Sequence, residues 1–194
     1  MSIPKPEEVD AVKQQLDAKG LKALVVRGDT DLSKEASVEE LGVQFETCKR
    51  LGVEYMFLSP KRHDAPFEVI YDRLRKAGNL AAKNGVILVL ETHPDLGTNG
   101  EVHVATMKAI NHPSVRVNFD TANPIAYGDD PQPILEQVID QVASIHAADT
   151  DTRGALNHVL LGTGLVPFAE LFTYLKERRI DVPVIGNVYL LSTI

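Results

Sequence analysis

Residues 86–92, VILVLET, are apolar at five consecutive positions and turn polar only at Glu91. A half-buried strand would alternate polar and apolar side chains, so this uninterrupted run predicts a strand covered on both faces, the condition of a parallel sheet. Working outward, the flanking segments supply the covering layers. Upstream, residues 68–84 place Val69, Ile70, Leu74, Ala77, Leu80 and Ala81 at helical spacing and stop at Gly85. Downstream, residues 100–111 form a weaker helical pattern closed by His112-Pro113, and VRVNFDT (115–121) is the next strand.

The same punctuation continues to both ends. Toward the N-terminus, VEYMFLSP (53–60) and LKALVVRG (21–28) read as strands, separated by a helix with Leu41, Phe45, Cys48 and Leu51 on one face. Ser37 and Glu40 have the spacing of a capping box at the start of that helix. Residues 6–19, with Pro6 in the first turn and Gly20 after the last, predict a helix at the very start. Toward the C-terminus, Asp130-Pro131 opens a helix carrying Ile134, Leu135, Val138 and Ile139, and ASIHAADT (143–150) follows as a strand. A loop over 151–165, a helix with Phe168, Leu171, Phe172 and Leu175, and the strand-like VPVIGNVYL (182–190) complete the chain.

Regular β/α alternation fits a closed barrel or an open doubly wound sheet. No glycine-rich dinucleotide turn or phosphate loop is present, whereas polar residues recur at successive strand ends: Arg27, Ser59, Glu91, Asp120 and His146. The expectation is one α/β domain over residues 1–194, a TIM-type (β/α) barrel. It is incomplete, with about seven strands including one near HVLLGTG (158–164) and with the first β/α unit missing. An open seam leaves backbone groups unpaired, so a homo-oligomer contact covering it is expected.

Composition narrows the function. The 194 residues are 44% hydrophobic with a net charge of −7, against a general affinity for nucleic acid or anionic membranes. No apolar stretch suits a signal peptide or a bilayer span, and the lone Cys48, set in an apolar helical pattern, is read as structural. A cytoplasmic protein acting on a small molecule is the expectation.

Glu91, Asp120 and His146 end three consecutive strands, so parallel neighbours bring two carboxylates and an imidazole to one rim. Such a set favours a divalent ion such as Mn²⁺, Mg²⁺ or Co²⁺, with Zn²⁺ left open. The alternative is that the carboxylates are satisfied by hydrogen bonds or arginines and that the histidine is a partly buried polar residue.

VILVLETHPDLGTNGEV (86–102), HPSVRVNFDTANP (112–124), IHAADT (145–150) and LGTGLVPF (161–168), in this order, resemble the sugar phosphate isomerase/epimerase family, whose fold is the xylose-isomerase-like TIM barrel. The resemblance implies that Glu91, Asp120 and His146 are metal ligands, completed in the family by a glutamate on the last strand. It implies that the ion polarises neighbouring oxygens of a ketose or polyol and stabilises an enediolate, with Glu91 as ligand and acid/base together. Four residues are substrate-binding candidates. His93 is placed to contact substrate or support the rim, Asn123 to bind a sugar hydroxyl, Asp149 to orient His146 or a hydroxyl, and Arg153 to hold a phosphate or carboxylate tail. For Asp149 a turn-forming role, and for Arg153 a solvated loop role, stand as alternatives. His63, His103, His112 and His158 read as surface or capping residues.

Two positions depart from the family pattern. Gly186 and Asn187 stand where the last-strand glutamate is expected, and Ala148 where relatives carry lysine. The implied function is a metal-dependent isomerase or epimerase of a small sugar or sugar phosphate. The alternatives are a degenerate relative that binds metal or carbohydrate without turnover, or another reaction on the scaffold, such as polyol dehydration or hydroxypyruvate isomerisation. Endonuclease action on DNA is disfavoured for want of further strand-end histidines and a basic face.

Overall fold

The computed structural model describes residues 5–186. Within them, helices and strands alternate in the order α1 (Pro6–Ala18), β1 (Val25–Arg27), α2 (Ser37–Leu51), β2 (Tyr55–Leu58), α3 (Phe67–Lys83), β3 (Ile87–Glu91), α4 (Gly100–Ile110) and β4 (Val115–Asp120). Then come the short α5 (Asn123–Ala126), α6 (Pro131–Val138), β5 (Val142–Ala147), a small pair β6 (Asp149–Thr150) and β7 (His158–Val159), α7 (Phe168–Glu177) and β8 (Val184–Gly186). Six strands form one parallel sheet in the order β1-β2-β3-β4-β5-β8. The segment near 158 is indeed extended, but it pairs antiparallel with β6 outside the main sheet. Its apolar Leu160 and Leu161 remain 43% and 42% exposed, so its hydrophobicity did not come from burial between layers.

The period-2 geometry of strands divides the sheet into two faces. Met56, Leu58, Leu88, Leu90, Val115, Val117, Phe119 and Ile145 join the helix residues Leu41, Phe45, Ile70, Leu74 and Ile110 in one buried apolar cluster. Alternate positions, Phe57 and Ser59, Val89 and Glu91, Asn118 and Asp120, Ser144 and His146, therefore face the opposite side. That side is concave: the rings of Phe57 and His146 lie 6.1 Å apart, although β2 and β5 are three places apart in the sheet, about 14 Å if it were flat. The structure is a TIM-like barrel of six parallel strands, nearly closed, with a seam between β1 and β8.

One irregularity decides the alignment of the site. Val117 pairs with Val142, but the next pair is Asn118 with Ser144, so β5 carries one surplus residue at Ala143. The shift brings His146 level with Asp120. Without it, Ile145 would stand beside Asp120 and His146 would turn to the helix side.

Local signals behaved unevenly. Asn99 caps α4 by accepting the Val102 N–H at 3.0 Å, and Asp130 stands at the start of α6. The capping box expected at Ser37 does not form: Ala36 is the N-cap, Ser37 is fully buried, and Glu40 instead accepts the Thr30 hydroxyl at 2.6 Å. Cys48 is buried in the apolar cluster, where burial pushes its thiol up to about 12. No helix among the described residues is long and apolar enough to cross a membrane.

His103, expected as a surface or capping residue, is only 1% exposed and packs over Gly97, with its Nδ1 lacking a partner among the described residues. Burial lowers its pKa from 6.5 to about 4. Between those values the unfolded chain binds the proton that the folded chain excludes, so this group makes stability rise with pH from about 4 to 6.5 and level off above. Denaturant titrations should show wild-type protein losing roughly 2 kcal/mol by pH 5 relative to pH 7, beyond the loss in His103→Gln. Parallel pH profiles for the two proteins would refute this account.

Candidate functional site

The two carboxylates are held in the same way. Glu91, 6% exposed at the end of β3, accepts a hydrogen bond from the Ser59 hydroxyl beyond β2 on Oε2, while Oε1 lies 3.0 Å from His146 Nδ1. Asp120, 1% exposed at the end of β4, accepts the backbone N–H groups of Ala122 and Asn123 on Oδ1 at 2.8 and 2.7 Å. Its Oδ2 lies 2.7 Å from the same His146 nitrogen. Each carboxylate thus has one oxygen anchored by the fold and one aimed at a shared centre. The backbone of 120–123 provides the second anchor because Asp120 precedes a helical turn, whose first N–H groups have no partners within the helix.

Ligand atoms of Glu91, Asp120 and His146 all lie within 4.8 Å of one another. Two buried carboxylates sharing one imidazole nitrogen leave at least one negative charge uncompensated, which is costly in a poorly solvated site. Oxygen donors with one imidazole match a divalent cation, so these residues fit such an ion. Burial pushes the Glu91 carboxyl up, but the hydrogen bonds from His146 and Ser59, helped by the charge of His146 and His93, outweigh it and hold the group below its ordinary value. Glu91 is therefore poised in its charged form.

The remaining candidates fall around this centre with different roles. His93 packs edge-on against Tyr127, ring centroids 6.3 Å apart, with Nδ1 3.4 Å from the Pro94 carbonyl. Asn123 is buried and donates its amide N–H to the Thr92 carbonyl at 2.8 Å, tying the ends of β3 and β4 together. Asp149 does not join the centre. Its Oδ1 accepts the N–H groups of Thr150 and Val166, and its Oδ2 those of Gly162 and Gly164, at 2.9–3.1 Å. It organises the LGTG loop. Gly164 is required there, since a Cβ would collide with the Asp149 carboxylate and the Thr150 carbonyl. Arg153 is exposed and grips the 128–130 turn through the carbonyls of Gly128 and Asp129 and the carboxylate of Asp130.

Ser59 and Tyr127 complete the surroundings. Ser59 was visible as a polar strand end, but nothing in its spacing revealed a bond to Glu91. Burial, followed by the charges of Asp120 and Glu91, raises the Tyr127 phenol. It enters through the short α5, for which the sequence offers no periodic signal. Ala148 is fully buried, and its backbone N–H and carbonyl both engage the Thr121 hydroxyl. At the end of β8, Gly186 pairs with Ala147 and has Leu161 against it. Asn187 lies outside the described residues.

Comparison with solved structures returns the same architecture. A xylose isomerase domain protein from Planctomyces limnophilus superposes with a TM-score of 0.83 at 23% identity, covering 95% of this chain and 76% of that one. D-psicose 3-epimerase from Clostridium cellulolyticum H10, solved with D-tagatose, gives 0.80 at 15% identity, covering 94% and 70%. The IolI protein, solved with a bound zinc atom, gives 0.77 at 22% identity, covering 94% and 73%. No curated protein sequence matches the chain. The family model described as xylose isomerase-like TIM barrel matches residues 2–188. Strand order, the strand-end cluster and this match over nearly all of its length agree: the chain belongs to the xylose isomerase-like TIM-barrel family.

Proposed function

We propose that the protein is a divalent-metal-dependent isomerase or epimerase of a small sugar or sugar phosphate. The observation that carries this reading is the paired arrangement of Glu91 and Asp120, each with one fixed oxygen and one presented beside His146. These three residues would hold the ion, Mn²⁺, Mg²⁺, Co²⁺ or Zn²⁺, which when bound supplies Lewis-acid polarisation of neighbouring substrate oxygens. The zinc in the IolI structure and the D-tagatose in the epimerase structure support an ion and a sugar on this scaffold.

The chain's own residues supply the rest. Glu91, charged and facing the centre, takes a proton from the carbon beside the carbonyl and returns it to the neighbouring position through an enediolate. Ser59 keeps its carboxylate from rotating away. His93, at the rim with Tyr127, is assigned to the substrate's hydroxyls. Asn123 braces the rim from beneath, as Asp149 and Arg153 do from the neighbouring loops. With glycine at position 186 the end of β8 offers no second carboxylate, which favours proton return by Glu91 itself, and so isomerisation over a two-base epimerisation. The same glycine is the reason to keep a second reading, a relative that binds metal and sugar without turnover.

The seam supports a further assignment. Leu24, just before β1, and Val184, in β8, are 51% and 47% exposed at the two strands that end the sheet among the described residues. A second copy covering these edges would pair strand groups and bury the apolar side chains. The lone buried thiol is consistent with a reducing cytoplasm.

Calorimetric titration with Mn²⁺ should give one site per chain, weakened about 100-fold or more in Asp120→Asn, because a charged ligand is lost. In D₂O, Mn²⁺-loaded protein mixed with a ketose should incorporate deuterium at the carbon beside the carbonyl, with at least a 100-fold loss in Glu91→Gln. Metal binding without exchange, at any ketose tried, would select the non-catalytic reading, and absence of Mn²⁺, Co²⁺ and Zn²⁺ binding would overturn both. Light scattering should give the mass of a dimer or larger assembly; a monomer at micromolar concentration would remove the seam-covering copy.

A further inference from the structure

Asn118 stands in β4 on the inner side of the sheet, 1% exposed, and half of its amide is unused. Its Oδ1 accepts the Ser144 hydroxyl from β5 at 2.6 Å. That distance suits O–H···O and is short for N–H···O, so the carbonyl branch of the amide is the one that faces β5. Nδ2, on the other branch, is buried and has no hydrogen-bond partner among the described residues. Ser37, Arg62, Thr92, His103 and Gln132 also carry a buried unpartnered atom, but they sit in helices or loops; among the described residues Asn118 is the one such residue on a strand. An amide N–H left without an acceptor in a protein interior is costly, and such groups are rare in folded chains.

On the side away from Ser144, the neighbour of β4 is β3, and there the residue in register with Asn118 is Glu91. Their side chains leave adjacent strands on the same face, from backbones roughly 5 Å apart. Glu91 is also the less securely anchored of the two carboxylates. Asp120 takes two backbone N–H groups on Oδ1, whereas Glu91 has the single Ser59 hydroxyl on Oε2 and His146 Nδ1 beside Oε1. That same nitrogen lies 2.7 Å from Asp120 Oδ2, and one imidazole nitrogen carries at most one proton. Whichever carboxylate receives the proton, the other goes without it, and a nitrogen that holds an ion donates to neither. A buried acceptor short of a donor therefore stands in register with a buried donor short of an acceptor.

We infer that Asn118 is a positioning residue for Glu91: its free amide N–H is the donor that steadies the Glu91 carboxylate from the β4 side when His146 is committed to the ion. Ser59 holds the carboxylate from the β2 side, and Ser144 keeps the amide turned the way this requires. The inference rests on the function proposed above and deepens it. A carboxylate that both ligates an ion and moves a proton must return to one orientation in every turnover, and donors behind it are what enforce that return.

A crystal structure of the Zn²⁺-loaded protein should place Asn118 Nδ2 about 3 Å from a Glu91 carboxylate oxygen. An amide bonded to water instead, or still without a partner, would overturn the assignment. In the deuterium-exchange assay with Mn²⁺, Asn118→Leu, similar in shape but without the donor, should lower kcat about tenfold while KM for the ketose changes less than about threefold. Ser144→Ala, which keeps the amide but frees it to turn, should lower kcat in the same direction by a smaller factor. A loss carried by KM, or full activity in both variants, would refute the role. If Asn118→Leu does not fold, Ser144→Ala and the Zn²⁺-loaded structure decide. A protein that binds Zn²⁺ with this amide turned away from Glu91 loses the inference and keeps the proposed function; one that binds no divalent ion loses the proposed function, and the inference with it.

Discussion

The structure depends on the placement of two negative charges where water cannot solvate them. A buried carboxylate is tolerated only when its oxygens find donors, and here the fold supplies half of what is needed. Ser59 serves one oxygen of Glu91, and the backbone at Ala122 and Asn123 serves one oxygen of Asp120. The unserved halves converge on one imidazole nitrogen. An arrangement of this kind costs stability in the protein by itself, and a positive ion would relieve it.

Holding that arrangement in place is what the barrel architecture accomplishes. Residues 91, 120 and 146 are distant in sequence and sit on strands that are neighbours in the sheet, so parallel pairing, together with the surplus residue in β5, brings their side chains to one rim. Curvature then shortens the span between β3 and β5 until side chains can touch. The apolar cluster on the helix side supplies the stabilisation, through residues such as Phe45, Leu74 and Ile110 that are fully buried. A division of labour results in which one face of each strand provides stability and the other provides chemistry.

Much of this was legible in the sequence, and for identifiable reasons. Uninterrupted apolar runs marked β3 and β4, helical spacing marked α3, and Glu91, Asp120 and His146 stood out because each is polar at the end of an apolar run. Other features depend on three-dimensional neighbours that no local pattern encodes. His103 sits in a helix with apolar residues on several sides, so periodicity could not tell that its ring packs over Gly97. Ser37 has the spacing of a cap, but the chain enters α2 from a helical Ala36, leaving the hydroxyl no free N–H to accept. Asp149 and Arg153 were each legible as either a site or a loop residue. Their partners are backbone groups of loops whose paths could not be foreseen. The apolar run near 158 has strand composition without strand burial, and it pairs outside the parallel sheet.

The surplus residue at Ala143 gives the fold a form of slack. Because β5 takes its alignment from its final pairs with β4, and the irregular pairing absorbs the mismatch before Ser144, the centre is insulated from the length of the chain that leads into the strand. The segment from α6 through the 3-10 turn at Ile139–Gln141 can therefore change by a residue, provided the kink moves with it, while His146 keeps its place beside Asp120. A regular ladder would carry any such change straight to the rim.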